Sequence, residues 1–96
     1  MNNLRELRFI NGAGKKALLV VEPKSSEFWI ESGAMIHIVA DGGDPAVAID
    51  VEYLPNGLVV YTAEGSQVLV YQDGGLLSQE KKSKRMAWRL NRPLAR

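Results

Sequence analysis

A chain of 96 residues with 46% hydrophobic side chains makes one domain with a single thin core, not a multidomain assembly and not a disordered tract. It contains no cysteine, which excludes a disulfide framework or a thiolate metal cluster and fits a reducing cytoplasm of bacterial style. The formal net charge of +1 argues against a uniformly basic nucleic-acid-binding domain, but it conceals an asymmetry along the chain.

The opening residues MNNLRELRF lack the apolar centre of a signal peptide, and no apolar run approaches ~18 residues, so neither export nor a membrane span is expected. From Leu4 onward, short apolar runs alternate with turn chemistry. They predict strands over 4–10 (LRELRFI), 16–22 (KALLVVE), 27–30 (EFWI), 34–40 (AMIHIVA), 46–53 (AVAIDVEY), 57–62 (GLVVYT) and 67–72 (QVLVYQ), with an edge piece at 75–77 (GLL). Between them, clusters of Asn, Asp, Gly, Ser and Pro mark turns, because Asn and Gly accept positive φ cheaply and Pro presets φ. Asn56-Gly57 is the sharpest of these and predicts a type I′ hairpin. Turns at roughly ten-residue spacing predict an all-β fold, an antiparallel meander of seven to eight short strands forming a small sandwich or barrel.

Alternation assigns faces. Over 46–53, Val47, Ile49, Val51 and Tyr53 point one way and Ala48, Asp50 and Glu52 the other, as in a strand with one wet face. The runs 16–22 and 34–40 are apolar on both faces, which predicts central or covered strands. In 27–30, Phe28 and Ile30 share a face, so Trp29 points outward or lies beneath a covering segment.

After Gly75 the character changes. Residues 1–78 form the expected β domain and 79–96 a basic tail. Seven of the twelve basic residues (Lys81, Lys82, Lys84, Arg85, Arg89, Arg92 and Arg96) and only one acid, Glu80, lie from position 80 onward; five bases and ten acids remain before it. An acidic body thus carries a basic tail. Met86 and Leu90 stand four residues apart with Trp88 between them, and Pro93 would stop a short helix there. So short a helix needs packing to persist, so these three residues should lie on something apolar.

No pattern of residues carries catalysis. His37 is the only histidine and sits in an apolar strand without a nucleophile or acid motif around it, so it reads as structural, and the partners a histidine metal site needs are missing. Asp50 and Glu52 share a strand face, and Asp41 and Asp44 bracket two glycines; both pairs read as solvated or turn-forming rather than as an acid–base pair or a calcium loop. Gly12-Ala-Gly14-Lys15 lacks the spacing and the following helix of a phosphate loop. No cofactor and no metal is expected.

The stretch from Ala17 to Gly33 (ALLVVEPKSSEFWIESG), followed by an apolar strand running to Ala40-Asp-Gly42, resembles a pattern in a family of small uncharacterised bacterial proteins, L-x-L-E-P-x-x-x-E-F-x-L-x-x-G. The likeness covers the first half of the chain, rests on Glu22-Pro23, Glu27-Phe28 and Gly33, and implies an all-β fold without assigning any site.

The expectation is therefore a non-enzymatic β module acting by protein association, first of all as a homodimer, with the tail docking on an acidic surface of its own chain or of a partner. Trp29, Met86, Trp88, Leu90, Arg85, Arg89 and Arg92 are the interaction candidates. A second reading makes the tail a nucleic-acid-binding arm, basic residues beside one aromatic being suited to phosphates and bases. A third uses Trp29, Tyr53, Tyr61 and Tyr71 for a carbohydrate or small ligand, although Tyr61 and Tyr71, on consecutive strands, could instead pair with each other.

Overall fold

The computed structural model describes residues 4–79. Eight strands form where the β-branched and aromatic runs lie: β1 (Arg5–Ile10), β2 (Ala17–Glu22), β3 (Ser26–Ile30), β4 (Met35–Asp41), β5 (Asp50–Leu54), β6 (Gly57–Tyr61), β7 (Gln67–Gln72) and β8 (Gly75–Leu76). They make two four-stranded sheets, ordered β1-β4-β7-β8 and β3-β2-β6-β5, packed as a sandwich. The first sheet is antiparallel throughout, and the second contains one parallel pair, β2 with β6.

The eight strands and all-β class match expectation, but the connectivity is not that of a meander. Consecutive strands pair only in the hairpins β2–β3, β5–β6 and β7–β8; the other connections carry the chain from one sheet to the other. A parallel pair cannot be closed by a tight turn, and here the chain from β2 to β6 runs through β3, then β4 of the opposite sheet, then β5.

One core fills the space between the sheets. Leu19, Val21, Phe28, Ile30, Leu58 and Val60 face Ile36, Ile38 and Val70, with Leu7, Phe9 and Val68 packed at its margin. These residues alternate along each strand, which is the period-2 signal read from the sequence. The 46–53 strand begins later than predicted, at Asp50, because Asp44 closes an Asx turn on Ala46 (Oδ1 accepting from N at 2.9 Å) and holds the chain in a loop. Val51 and Tyr53 do lie on the core side, opposite Val60 and Leu58, yet Tyr53 is 80% exposed. β5 is an edge strand, so its inward side chains reach past the margin of the other sheet.

Turn chemistry also moved by one residue. In the β5–β6 hairpin Leu54 pairs with Gly57, so Pro55 and Asn56 are the turn residues, and neither has positive φ. Pro55 cannot take the φ that a type I′ turn requires at its first central position, so Gly57 enters the strand instead. The type I′ geometry appears in the β7–β8 hairpin, at Asp73 (φ 48°) and Gly74 (φ 85°).

Asn11 ties the ends of β1 and β3 together. Its buried side chain donates from Nδ2 to the carbonyls of Glu31 (2.9 Å), Ile30 (3.2 Å) and Lys15 (3.4 Å), and Oδ1 accepts from the Ala13 amide at 3.2 Å. Its backbone amide donates to Ala34, and its carbonyl accepts from Gly33.

Candidate interaction surfaces

With the core between the sheets, each sheet has one outer face, and the alternation that builds the core decides what those faces carry. On the second sheet the register sets three rows across the outer face. The first holds Trp29, Leu18, Gly57 and Leu54; the second Glu27, Val20, Val59 and Glu52; the third Glu22, Tyr61 and Asp50. Leu18, Val20 and Val59 are buried (0, 3 and 0% exposed), and Trp29, Leu54 and Tyr61 pack against them. This sheet is therefore apolar on both sides at its centre, as the run 16–22 suggested. Trp29 lies on this outer face and is half-buried, while Phe28 and Ile30 fill the core.

Around the apolar centre the second sheet's outer face is acidic. Glu22, Glu27, Asp50 and Glu52 supply four of the ten acids that precede position 80, and no strand position on this face is basic. Tyr61 donates its hydroxyl to Glu52 Oε1 at 2.5 Å. Glu27 is held at 4% exposure, where a carboxylate is stable only beside a donor or a cation. Asp50 and Glu52 do share a face, as their spacing implied, but Glu52 is half-buried under Tyr61 rather than fully solvated.

The outer face of the first sheet differs in kind. Its rows are Ile10 with Met35; Arg8, His37, Tyr71 and Leu76; Glu6, Val39 and Leu69; and Asp41 with Gln67. Ile10 and Leu76 are 60 and 61% exposed, and Met35 and Leu69 are exposed as well. His37 points outward on this face: Nε2 lies 2.7 Å from Glu6 Oε1, and the ring sits 5.8 Å from that of Tyr71 at 33°. Singly exposed apolar residues are ordinary on a protein surface, but four on one sheet face beside Val39 and Tyr71 make a patch. Sequence reading passed over this face because each strand, taken alone, shows at most two of these residues.

Tyr61 and Tyr71 cannot pair. β6 belongs to the second sheet and β7 to the first, and both tyrosines point outward, away from each other. Asp41 ends β4, while Asp44 forms the Asx turn and its carbonyl accepts from Arg5 Nη2; the two do not converge. The Gly12–Lys15 segment is the loop that Asn11 secures. Met86, Trp88, Leu90, Arg85, Arg89 and Arg92, like the short helix expected near them, lie outside the described residues.

Among the described residues, no group of three or more His, Cys, Asp or Glu side chains is placed to hold a metal ion, and no helix is long and apolar enough to cross a membrane. No protein-family model matches this chain, and neither a curated protein nor a solved structure matches it.

Proposed function

We propose that this protein is a non-enzymatic β-sandwich module that works by association with a second copy of itself, through the outer face of the β1-β4-β7-β8 sheet. The observation that carries this reading is the exposed apolar patch of Ile10, Met35, Leu69 and Leu76 on one sheet face. The charges at its edge support a symmetric arrangement. Arg8 and Glu6 stand two residues apart on β1. A two-fold axis running across the strands, between the His37 and Val39 rows, sets Arg8 over Glu6 of the second copy and Glu6 over its Arg8. The same operation places Leu69 over Tyr71 of the second copy.

Size sets the strength. Strands of six residues at ~3.3 Å rise, three abreast at ~4.8 Å, give a face of about 20 by 15 Å. That is less than the ~800 Å² per partner of a standard interface, so the dimer should form and dissociate with concentration rather than be obligate. A cytoplasmic setting suits a cysteine-free chain. The nucleic-acid reading has less support, because four carboxylates on the other outer face repel phosphate.

Sedimentation equilibrium over a wide concentration range tests the proposal. The natural chain should rise from monomer toward dimer mass, and Leu69→Arg should remain monomeric with an unchanged thermal midpoint, since Leu69 is already exposed. A natural chain monomeric throughout, or a Leu69→Arg variant that dimerises equally well, would refute it.

A further inference from the structure

The outer face of the β3-β2-β6-β5 sheet asks for a third layer. A sheet exposed on one side alternates apolar and polar residues, whereas β2 is apolar in both directions, with Leu18 and Val20 on the outside and Leu19 and Val21 in the core. We infer that the occupant of this face is the chain's own segment 80–96, laid across it as a strap, with its basic residues over the Glu22, Glu27, Asp50 and Glu52 carboxylates and Met86, Trp88 and Leu90 over Leu18, Leu54 and Trp29. This inference rests on a different face and different residues from the proposed dimer.

Three observations select this segment. The first is charge: the face has four acids and no base at its strand positions, and residues 80–96 hold seven bases against one acid. The second is position. Gln79 lines a groove at the end of the sandwich together with Glu22, Pro23, Lys24, Thr62 and Leu69, so the chain leaves the described region at the end of the molecule where the third row of the face lies.

The third is order along the chain. Moving from Gln79, the segment presents Lys81, Lys82, Lys84 and Arg85 before Met86, Trp88 and Leu90. Moving from the same end, the face presents its acids in the third and second rows, and Trp29, Leu18 and Leu54 in the first. The first row lies about 13 Å from the third along the strands, and residues 80–86 span up to about 23 Å when extended, so the apolar trio reaches its counterpart with slack. A segment running the other way would set lysines on Trp29 and apolar side chains on Glu22. Apolar burial should fix the strap and charge should orient it, because exposed ion pairs contribute little.

The absence of any cysteine makes the test direct. A nitroxide attached through Ala87→Cys in the full chain should broaden the methyl signals of Leu18, Val20, Leu54 and Val59, and leave those of Val39, Leu69 and Leu76 on the opposite face. The spectra are repeated with the Leu69→Arg substitution, so that dimerisation cannot contribute. Mixing isotope-labelled natural chain with unlabelled spin-labelled chain should produce no broadening, as expected for a strap on its own chain. In parallel, Trp88→Ala should lower the thermal midpoint by about 5–10 °C and Arg92→Ala by under about 2 °C. Broadening of the opposite face, broadening of both faces alike, broadening only in the mixed sample, or equal and negligible midpoint changes would each overturn the inference.

Discussion

Removing the Asn11 side chain should be among the most damaging single polar changes to this domain. Asn11 is 7% exposed, and its amide group makes two well-formed donations, to Glu31 O at 2.9 Å and Ile30 O at 3.2 Å, while Oδ1 accepts from Ala13 N at 3.2 Å. Each such bond contributes roughly 0.5–1.5 kcal/mol net, and a buried carbonyl left without a donor costs about 1–3 kcal/mol. Asn11→Ala should therefore destabilise the fold by about 2–4 kcal/mol, a fall in midpoint of roughly 10–25 °C for a domain of this size. Asn11→Asp should be worse still at neutral pH, because it keeps the Ala13 contact but aims a carboxylate at the Glu31, Ile30 and Lys15 carbonyl oxygens. Urea denaturation followed by far-UV circular dichroism gives both values, with an unchanged m-value showing that the comparison is fair. An Asn11→Ala variant within about 0.5 kcal/mol of the natural protein, or an Asn11→Asp variant more stable than it, would refute the reasoning.

Three further outcomes are expected. Gly43 and Gly65 both have positive φ, but a Cβ on Gly43 would lie 2.9 Å from Ala63 Cβ and 3.1 Å from Glu64 O, while one on Gly65 meets nothing within 4 Å. Gly65→Ala should cost about 1–2 kcal/mol for the left-handed backbone alone, and Gly43→Ala clearly more; thermal melts showing equal losses would remove the close-approach argument. In the β7–β8 turn, Asp73→Asn should be nearly neutral and Gly74→Ala should cost about 1 kcal/mol, since Asn tolerates the left-handed region and Ala does not; the comparison is again by denaturant midpoint. Leu19→Ala, which empties a fully buried site between the sheets, should cost about 2–5 kcal/mol, whereas Tyr53→Ser at the exposed edge should change stability by under about 0.5 kcal/mol in the same assay.

Much of the architecture was legible in the chain. Alternation of apolar and polar residues located the strands to within a few residues, put Phe28 and Ile30 in the core with Trp29 on the other side, and marked 16–22 as a strand apolar on both faces. These properties are local: a period of two residues and the φ preferences of Gly, Asn and Pro are set by bonded geometry, whatever the strand eventually pairs with. Even the Asn56-Gly57 misreading has a local cause, since Pro55 and Asn56 together make a turn one residue earlier.

Pairing is different. A turn cluster that reverses the chain within one sheet and one that carries it to the opposite sheet have the same composition, so the sheet orders, the parallel β2–β6 pair and the separation of Tyr61 from Tyr71 were set by packing of the whole core. Asn11 looked like one more turn residue, because a buried amide bridging β1 to β3 and β4 is visible only once those ends meet. The two outer faces arise in the same way. Ile10, Met35, Leu69 and Leu76 come from four strands, and Glu22, Glu27, Asp50 and Glu52 from three; no window of sequence contains either set. The chain by itself determined which residues alternate and where it must turn, because those depend on neighbours in sequence. Which side chains share a surface was decided by tertiary structure alone, because a surface is a property of strand register.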